Sequence, residues 1–250
     1  MEHIQVSSSE GIATLVLQKG KVNALNAKMV EELRTSLNDH EEDPSVKAVV
    51  LTGRGKFFSF GFDIPSLLKF SQDAFEVFLT MFTDLYTYLY LYPKPVIAAL
   101  NGHTIAGGCM IALACDYRLM TTGRAKISLN EITFGASVFA GSVEMLRACV
   151  GLRIAEKILL SGDMYVAEEA LRFGLVDQIV PRDRLIEEAM IIAMNLANKD
   201  GVAFRSLKQL LRKPVLEVMR EREKTSIQEF AEIWYSQNTW KNLEQIEIYE

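Results

Sequence analysis

The chain has 250 residues, 49% of them hydrophobic and 24% charged, with a formal net charge of -5. That length holds one large domain or a domain with an appendage, and the composition is that of a packed globular protein rather than a disordered one. Lysine and arginine are scattered, so no nucleic-acid surface is expected, and no uncharged apolar run reaches the roughly 18 residues of a membrane span. The best candidate for a span, Val96 to Cys115, is broken by Asn101, His103 and two adjacent glycines. Neither a secretory signal at Met1-Glu2-His3-Ile4-Gln5-Val6 nor a peroxisomal address at Ile246-Glu247-Ile248-Tyr249-Glu250 is expected. Cys109, Cys115 and Cys149 are an odd number at spacings that fit no zinc site, and they suggest buried thiols in a reducing compartment, with the cytoplasm as the expected location.

In chain order, His3–Ser7 and Ile12–Leu17 read as paired strands. Asn26 caps a helix from Ala27 to about His40, with Met29, Val30, Leu33 and Leu37 on one face. Val46–Thr52 is a β-branched strand. Ser71 to Tyr92 is an aromatic-rich helix closed by Pro93 and Pro95, Val96–Leu100 a buried strand, Gly107–Cys115 a small-residue helix and Tyr117–Thr121 another strand. Strand–helix alternation of this kind predicts an α/β fold with a largely parallel sheet. From Arg182 the pattern turns helical, with Arg182–Asn198, Val202–Leu211, Val215–Tyr235 and Thr239–Glu247 as expected helices. The expected organisation is therefore a core over residues 1–181 and a helical section over 182–250. In that section Ile227, Phe230, Ile233 and Trp234 are expected to pack partly against neighbouring subunits.

Several short motifs carry nothing. Gly53-Arg54-Gly55-Lys56 lacks the earlier glycine of a phosphate loop, since position 50 is Val50; Ser66-Leu67-Leu68-Lys69 lacks its companion motifs; and Phe57-Phe58-Ser59-Phe60-Gly61 lacks the first glycine of a nucleophile elbow. None of His3, His40 and His103 has a neighbour at ligand spacing, so no metal site is expected. Two segments are more specific. Phe58-Ser59-Phe60-Gly61-Phe62-Asp63-Ile64 follows a strand, and Asn101 to Cys109 joins a strand to a helix that begins on Gly107 and Gly108. Glycines there let a ligand approach backbone N–H groups able to hold a developing oxyanion, or simply permit tight helix packing.

These segments, with Val22-Asn23-Ala24-Leu25-Asn26, Lys94 to Gly102 and Ala170 to Asp177, resemble the crotonase (enoyl-CoA hydratase/isomerase) family in the right order over about residues 5 to 240. The resemblance implies a ββα spiral core, a helical C-terminal section engaged in trimerisation, and a homotrimer or dimer of trimers. It implies an acyl-CoA thioester as substrate, with coenzyme A present only as part of it and no further cofactor. The thioester oxygen would be held by the N–H groups of Phe62 and Gly107. The substrate would be lined by Ala24, Ser59, Phe60, Gly61, Asp63, Ile64, Gly108 and Met110, although Asp63 also fits a turn or helix cap before Ile64.

Hydratases of this family carry two glutamates that hold and activate water. In Ala106-Gly107-Gly108-Cys109-Met110 the first is replaced by a methionine, which moves no proton at neutral pH. The second is retained in Leu129-Asn130-Glu131-Ile132. One carboxylate suits a 1,3-proton shift, as in the family's mitochondrial-type 3,2-enoyl-CoA isomerases, with Glu131 as the base. Glu144, on an expected helix near the pocket, is the rival carboxylate. The alternatives are another crotonase reaction, such as weak hydration or thioester hydrolysis, and a silent acyl-CoA-binding scaffold. The aromatic helix, from Phe75 to Tyr92, lines an acyl tunnel or serves core packing.

Overall fold

The computed structural model describes residues 1–246. In chain order it runs β1 (Ile4–Ser9), β2 (Ile12–Leu17), α1 (Ala27–Glu42), β3 (Ala48–Gly53), β4 (Phe57–Ser59), α2 (Ile64–Leu67), α3 (Gln72–Tyr90), β5 (Val96–Leu100), β6 (His103–Ile105), α4 (Gly107–Ala114), β7 (Tyr117–Thr121) and β8 (Lys126–Ser128). A 3-10 turn at Glu131–Phe134 leads to α5 (Ala140–Val150), α6 (Leu152–Ser161), β9 (Tyr165–Val166), α7 (Ala167–Phe173) and β10 (Gln178–Val180). A second 3-10 turn, Arg182–Arg184, precedes α8 (Leu185–Ala197), α9 (Gly201–Trp234) and α10 (Gln237–Leu243).

The strands form two sheets, one in the order β1-β2-β3-β5-β7-β10 and one in the order β4-β6-β8-β9. Successive strands β3–β4, β5–β6 and β7–β8 each place their first member in the large sheet and their second in the small one, before a helix returns the chain. That repeat is the ββα spiral. The inner strands of the large sheet pair in parallel, and β1 closes its edge antiparallel to β2. Both faces of the large sheet are covered. Val49, Leu51 and Ala98 point into the main core, while Val50, Ile97 and Ala99 meet Leu185, Ala189 and Ala193 of α8. Burial on both faces explains why β3 and β5 read as unbroken apolar runs rather than alternating ones.

Two buried asparagines hold the corner between the sheets. Asn101 accepts the Gly53 N–H at 2.9 Å and donates to the Gly55 and Phe57 carbonyls at 3.1 Å each. Asn23 donates to the Arg54 and Phe57 carbonyls at 3.0 and 2.9 Å and accepts the Lys19 N–H at 3.1 Å. A Cβ on Gly102 would lie 1.9 Å from the Lys56 carbonyl oxygen, so Asn101-Gly102 is required by the packing of two backbones.

The helical section departs from expectation in two places. The stretches Val202–Leu211 and Val215–Tyr235 form a single helix, α9, which runs through Pro214. Pro214 is exposed, so the carbonyl of Leu210 that loses its intrahelical partner faces water, where its desolvation penalty is avoided. Ile227, Phe230 and Trp234, expected at a subunit boundary, are instead buried within their own chain, and Ile233 is half-buried. The amphipathic pattern was correct, but the apolar face closes over α3 and α5. The exposed large apolar residues of α9 lie earlier, at Val202, Leu207, Leu210, Leu211 and Val218. Of the expected helix Thr239–Glu247, α10 covers Thr239 to Leu243, and Glu247 lies outside the described residues. Among the described residues no helix is long and apolar enough to cross a membrane.

Near its start α9 is pinned to the sheet by charge. Asp116 pairs with Lys208 at 2.8 Å and Arg212 at 3.1 Å and accepts the Val96 N–H at 2.8 Å, while Arg212 also donates to the Tyr90 and Ala114 carbonyls. Burial pulls the Lys208 ammonium down to about 8 against the favourable pull of Asp116. Removing one partner of such a buried pair strands the other, so Asp116→Ala should cost about 3–5 kcal/mol in urea denaturation at neutral pH. A loss below about 1 kcal/mol would show that the cluster does not anchor the helix.

Candidate active site

Between the spiral core and α9 lies a cavity of about 140 Å³ whose wall includes Phe60, Phe62, Ile64, Gly107, Met110 and Glu131. Sequence reasoning named all six. Phe62 is bridged in parallel fashion to Leu25: the Leu25 N–H donates to Gly61 at 2.7 Å and the Asp63 N–H to the Leu25 carbonyl at 2.9 Å. In a parallel bridge the residue between those bonds turns its own N–H to the other side. The Phe62 N–H accordingly finds no acceptor among the described residues. Gly107 opens α4, whose first N–H groups have no intrahelical partner, and its N–H also lacks an acceptor among the described residues. A Cβ on Gly107 would meet the Phe62 ring at 3.2 Å, which places the two residues side by side. Two open donors beside a buried helix N-terminus suit an oxygen that gains negative charge.

Holding this pair requires unusual backbone. Gly61 has φ 93°, and a Cβ there would come within 2.9 Å of the Ala106 methyl and 3.2 Å of the Gly107 nitrogen. Ala106, the residue before α4, adopts φ 51° and ψ −121°, although it carries a side chain. Strain of this kind costs on the order of 1–3 kcal/mol and persists where the surroundings over-determine it. Here the Ala106 N–H is fixed to the Ser128 carbonyl at 2.9 Å, and its own carbonyl accepts the Met110 N–H at 3.0 Å.

Glu131 starts the 3-10 turn after β8 and is 4% exposed. Burial raises its carboxyl to about 8, and its own backbone N–H offsets part of the rise. Its Oε2 has no hydrogen-bond partner among the described residues. Met110, 1% exposed, lines the same cavity, so the wall presents a thioether where a second acid is the alternative.

The remaining expected positions lie off the cavity wall. Ala24 is buried and does not line it. Ser59 donates to the Asn23 carbonyl at 2.8 Å and accepts the Gly61 N–H at 3.1 Å, so it shapes the turn. Gly108 permits helix packing, since a Cβ there would lie 2.7 Å from that of Ser59. The two adjacent glycines therefore divide the roles, one exposing an N–H and one admitting a neighbour. Asp63 precedes α2 as its N-terminal boundary, but its side chain binds Lys19 at 2.7 Å and the Ser66 hydroxyl at 2.8 Å rather than capping the backbone. Glu144 is consumed by Arg147 at 2.8 Å and Arg222 at 3.4 Å and does not reach the cavity wall. His103 lies against Phe57, with ring centroids 5.0 Å apart. The α3 aromatics stand behind the wall: Phe78 and Phe82 meet Phe62 edge-on at 5.1 and 4.8 Å. Cys109 and Cys115 are buried as expected, but Cys149 is half-exposed.

Several wall residues were not anticipated as such: Asn130, Phe230, Trp234 and Ile246. Phe230 and Trp234 are one helical turn apart on α9. Their spacing signalled a buried face without saying what it faces.

The sequence matches the enoyl-CoA hydratase/isomerase family over residues 7–245. It is 36% identical over 212 residues to a putative enoyl-CoA hydratase of Thermus thermophilus, covering 83% of each chain. It is 29% identical over 230 residues to the mitochondrial enoyl-CoA delta isomerase 1 of Rattus norvegicus, covering 91% of this chain and 80% of that one. The fold superposes on the crystal structure of human mitochondrial Δ3-Δ2-enoyl-CoA isomerase with a TM-score of 0.91 at 29% identity, over 97% of this chain and 95% of that one. The chain belongs to the enoyl-CoA hydratase/isomerase family.

Proposed function

We propose that this enzyme moves the double bond of a 3-enoyl-CoA to the 2-position by a 1,3-proton shift. The observation that carries the reading is one buried carboxyl, Glu131, whose Oε2 has no partner among the described residues, in an apolar cavity with Met110 in place of a second acid. The Glu131 carboxylate takes a proton from C2 of the 3-enoyl thioester. The C–H electron pair becomes part of a dienolate, whose oxygen is held by the Phe62 and Gly107 N–H groups. The protonated Glu131 then returns its proton to C4, leaving the double bond between C2 and C3. The dry wall favours return of the same proton over exchange with solvent. Relatives named as hydratases favour water addition as a second reading, but one carboxylate cannot both orient and activate water as a pair does.

Glu131→Gln keeps size and polarity but deletes the base, and it should lower kcat for 3-hexenoyl-CoA by about 10²–10⁴-fold. Because the base must be ionised, wild-type kcat/KM should climb with pH and level off above about 8. A flat profile from pH 5 to 8 would remove Glu131 from that role.

The same raised value has a consequence for stability. The native state holds the Glu131 proton from the unfolded value of 4.5 up to about 8, so across that window ionisation opposes folding more with each unit of pH. Glu131→Gln should therefore unfold at a higher temperature than wild type. The gap should open above about pH 4.5 and widen to about pH 8, reaching no more than about 5 kcal/mol. A variant less stable than wild type at pH 8 would contradict the desolvated carboxyl.

Wild type should hydrate 2-hexenoyl-CoA poorly, as followed by loss of the conjugated-enoyl absorbance, and Met110→Glu should raise that rate. Efficient hydration by wild type would favour the second reading. We also propose a homotrimer, supported by the exposed Val202, Leu207, Leu210 and Leu211 of α9. Light scattering that reports only monomer at micromolar concentration would refute it.

A further inference from the structure

Glu131 stands on a 3-10 turn, Glu131–Phe134, that runs between the cavity and the surface: Glu131 is buried, while Ile132 and Thr133 are exposed. Short 3-10 pieces have poor hydrogen-bond geometry and hold their shape mainly through their surroundings. The internal ties here are the Thr133 hydroxyl on the Asn130 carbonyl at 2.7 Å and the Ala136 N–H on the Glu131 carbonyl at 3.0 Å. One flank rests against the end of α6, where a Cβ on Gly162 would lie 2.7 Å from the Thr133 methyl. The other flank meets α10.

Thr239 and Asn242 lie three positions apart on one face of α10. The Thr239 hydroxyl donates to the Gly135 carbonyl at 2.8 Å, and the Asn242 amide donates to the Phe134 carbonyl at 3.2 Å. Both acceptors sit at the C-terminal end of the turn, where carbonyls lack partners within it. Thr239 is buried, and a Cβ on Gly135, whose φ is 89°, would lie 3.1 Å from its Oγ1. Glycine at 135 therefore lets α10 come this near. Ser236 directs the hydroxyl. It is the N-terminal boundary residue of α10, where serine ordinarily accepts a backbone N–H, yet it makes no such bond and donates to Thr239 Oγ1 at 3.2 Å. With that oxygen accepting from Ser236, its one proton is left for Gly135. The start of α10 is itself fixed: Tyr235 stacks on Trp240 with centroids 5.3 Å apart and donates its hydroxyl to the Phe70 carbonyl at 2.9 Å.

We propose that Thr239, with Asn242 beside it, is a positioning residue for Glu131 that acts through the Gly135 and Phe134 carbonyls. Neither residue lines the cavity, so neither meets the substrate there. The inference rests on the reading of Glu131 as the base and adds what holds that base in line. A base that must reach C2 and then C4 depends on where its turn is held, and small displacements of a reacting group are costly in rate. The same ties bear on its acidity. Burial is what raises the Glu131 carboxyl, so a loosened turn that admits water lets it ionise at lower pH.

The test compares the full chain with Thr239→Val, which keeps the branched shape without the hydroxyl, and Thr239→Ser, which keeps the hydroxyl. Two quantities are read. One is kcat and KM for 3-hexenoyl-CoA. The other is the midpoint at which Glu131 ionises in the ligand-free protein, followed by ¹³C NMR of carboxyl-labelled glutamate, with Glu131→Gln identifying the resonance. Thr239→Val should lower kcat by roughly tenfold to a hundredfold with KM little changed. It should also bring the midpoint down from about 8 by roughly one pH unit. Thr239→Ser should return both to wild-type values. If only the melting temperature falls, and either kcat or the midpoint of Thr239→Val stays at the wild-type value, the role is merely structural and the proposal is overturned. A Thr239→Ser variant as impaired as Thr239→Val overturns it too. Should Thr239→Val fail to fold, Asn242→Ala decides: kcat and midpoint should fall in the same way, and a wild-type value for either overturns the proposal. A wild type that turns over no 3-enoyl-CoA would refute the isomerase reading instead. The midpoints, measured without substrate, would then still decide whether α10 holds the carboxyl in place.

Discussion

Everything at this site follows from keeping one carboxyl out of water. A carboxylate with so few partners in an apolar wall is a poor stabiliser, and burial accordingly holds Glu131 protonated up to about pH 8. An acid held that far up is poised to exchange a proton near neutral pH, where an exposed glutamate stays ionised. The same dryness strengthens the opposite side of the cavity. In the proposed reaction the N–H groups of Phe62 and Gly107 would act on a developing oxyanion without competition from solvent, so the proposed base and the proposed donors would both gain from the same wall.

The donors themselves are a backbone construction, and their cost is visible. Gly61 supplies a positive φ without penalty, but Ala106 adopts one with its methyl in place, and that methyl packs where any side chain on Gly61 would go. Fixing this geometry falls to the corner beneath it. Asn23 and Asn101 spend nearly all their amide capacity on the carbonyls and N–H groups of the turn between β3 and β4, and Ser59 ties Asn23 to Gly61. These polar residues are not among those that line the cavity. They fix the turn that carries the open N–H group of Phe62.

Legibility in the sequence tracked how local each determinant is. Val96–Leu100, Tyr117–Thr121 and the start of α4 at Gly107 could be placed from contiguous signals, because strand burial and a helix start are written into adjacent residues. The wall residues Phe62, Gly107, Met110 and Glu131 sit in short motifs and could be named together. Glu144 could not be dismissed in advance, since Arg222, which helps to neutralise it, lies 78 positions away. The inward direction of Phe230 and Trp234 was equally hidden, because an amphipathic stripe states that a face is buried and not against what. Pro214 misled for a physical reason: a helix tolerates proline when the orphaned carbonyl faces water, and exposure is not written in the residue.

The placement of α9 explains how a cavity with an unpaired acid and a strained turn is held closed. Its far half supplies Phe230 and Trp234 to the wall, and apolar contact alone would let that half slide along its axis. Polar bonds fix the register. Glu223 accepts the Gly141 N–H at 2.6 Å and bonds the buried Tyr86 hydroxyl, and Ser226 accepts the Ala140 N–H at 3.0 Å. These are the first two N–H groups of α5, so the helix that covers the site also satisfies the N-terminus of the helix beside it. Phe139, the residue just before α5, then packs against Phe230 with centroids 4.6 Å apart and the rings tilted by 32°, which turns that capping contact into a section of cavity wall. Registry set by Glu223 and Ser226 is thus transmitted to Phe139 and Phe230 within two turns of helix. The dryness that raises Glu131 is consequently a property of the tertiary closure by α9, although Glu131 itself stands on the small-sheet side of the core.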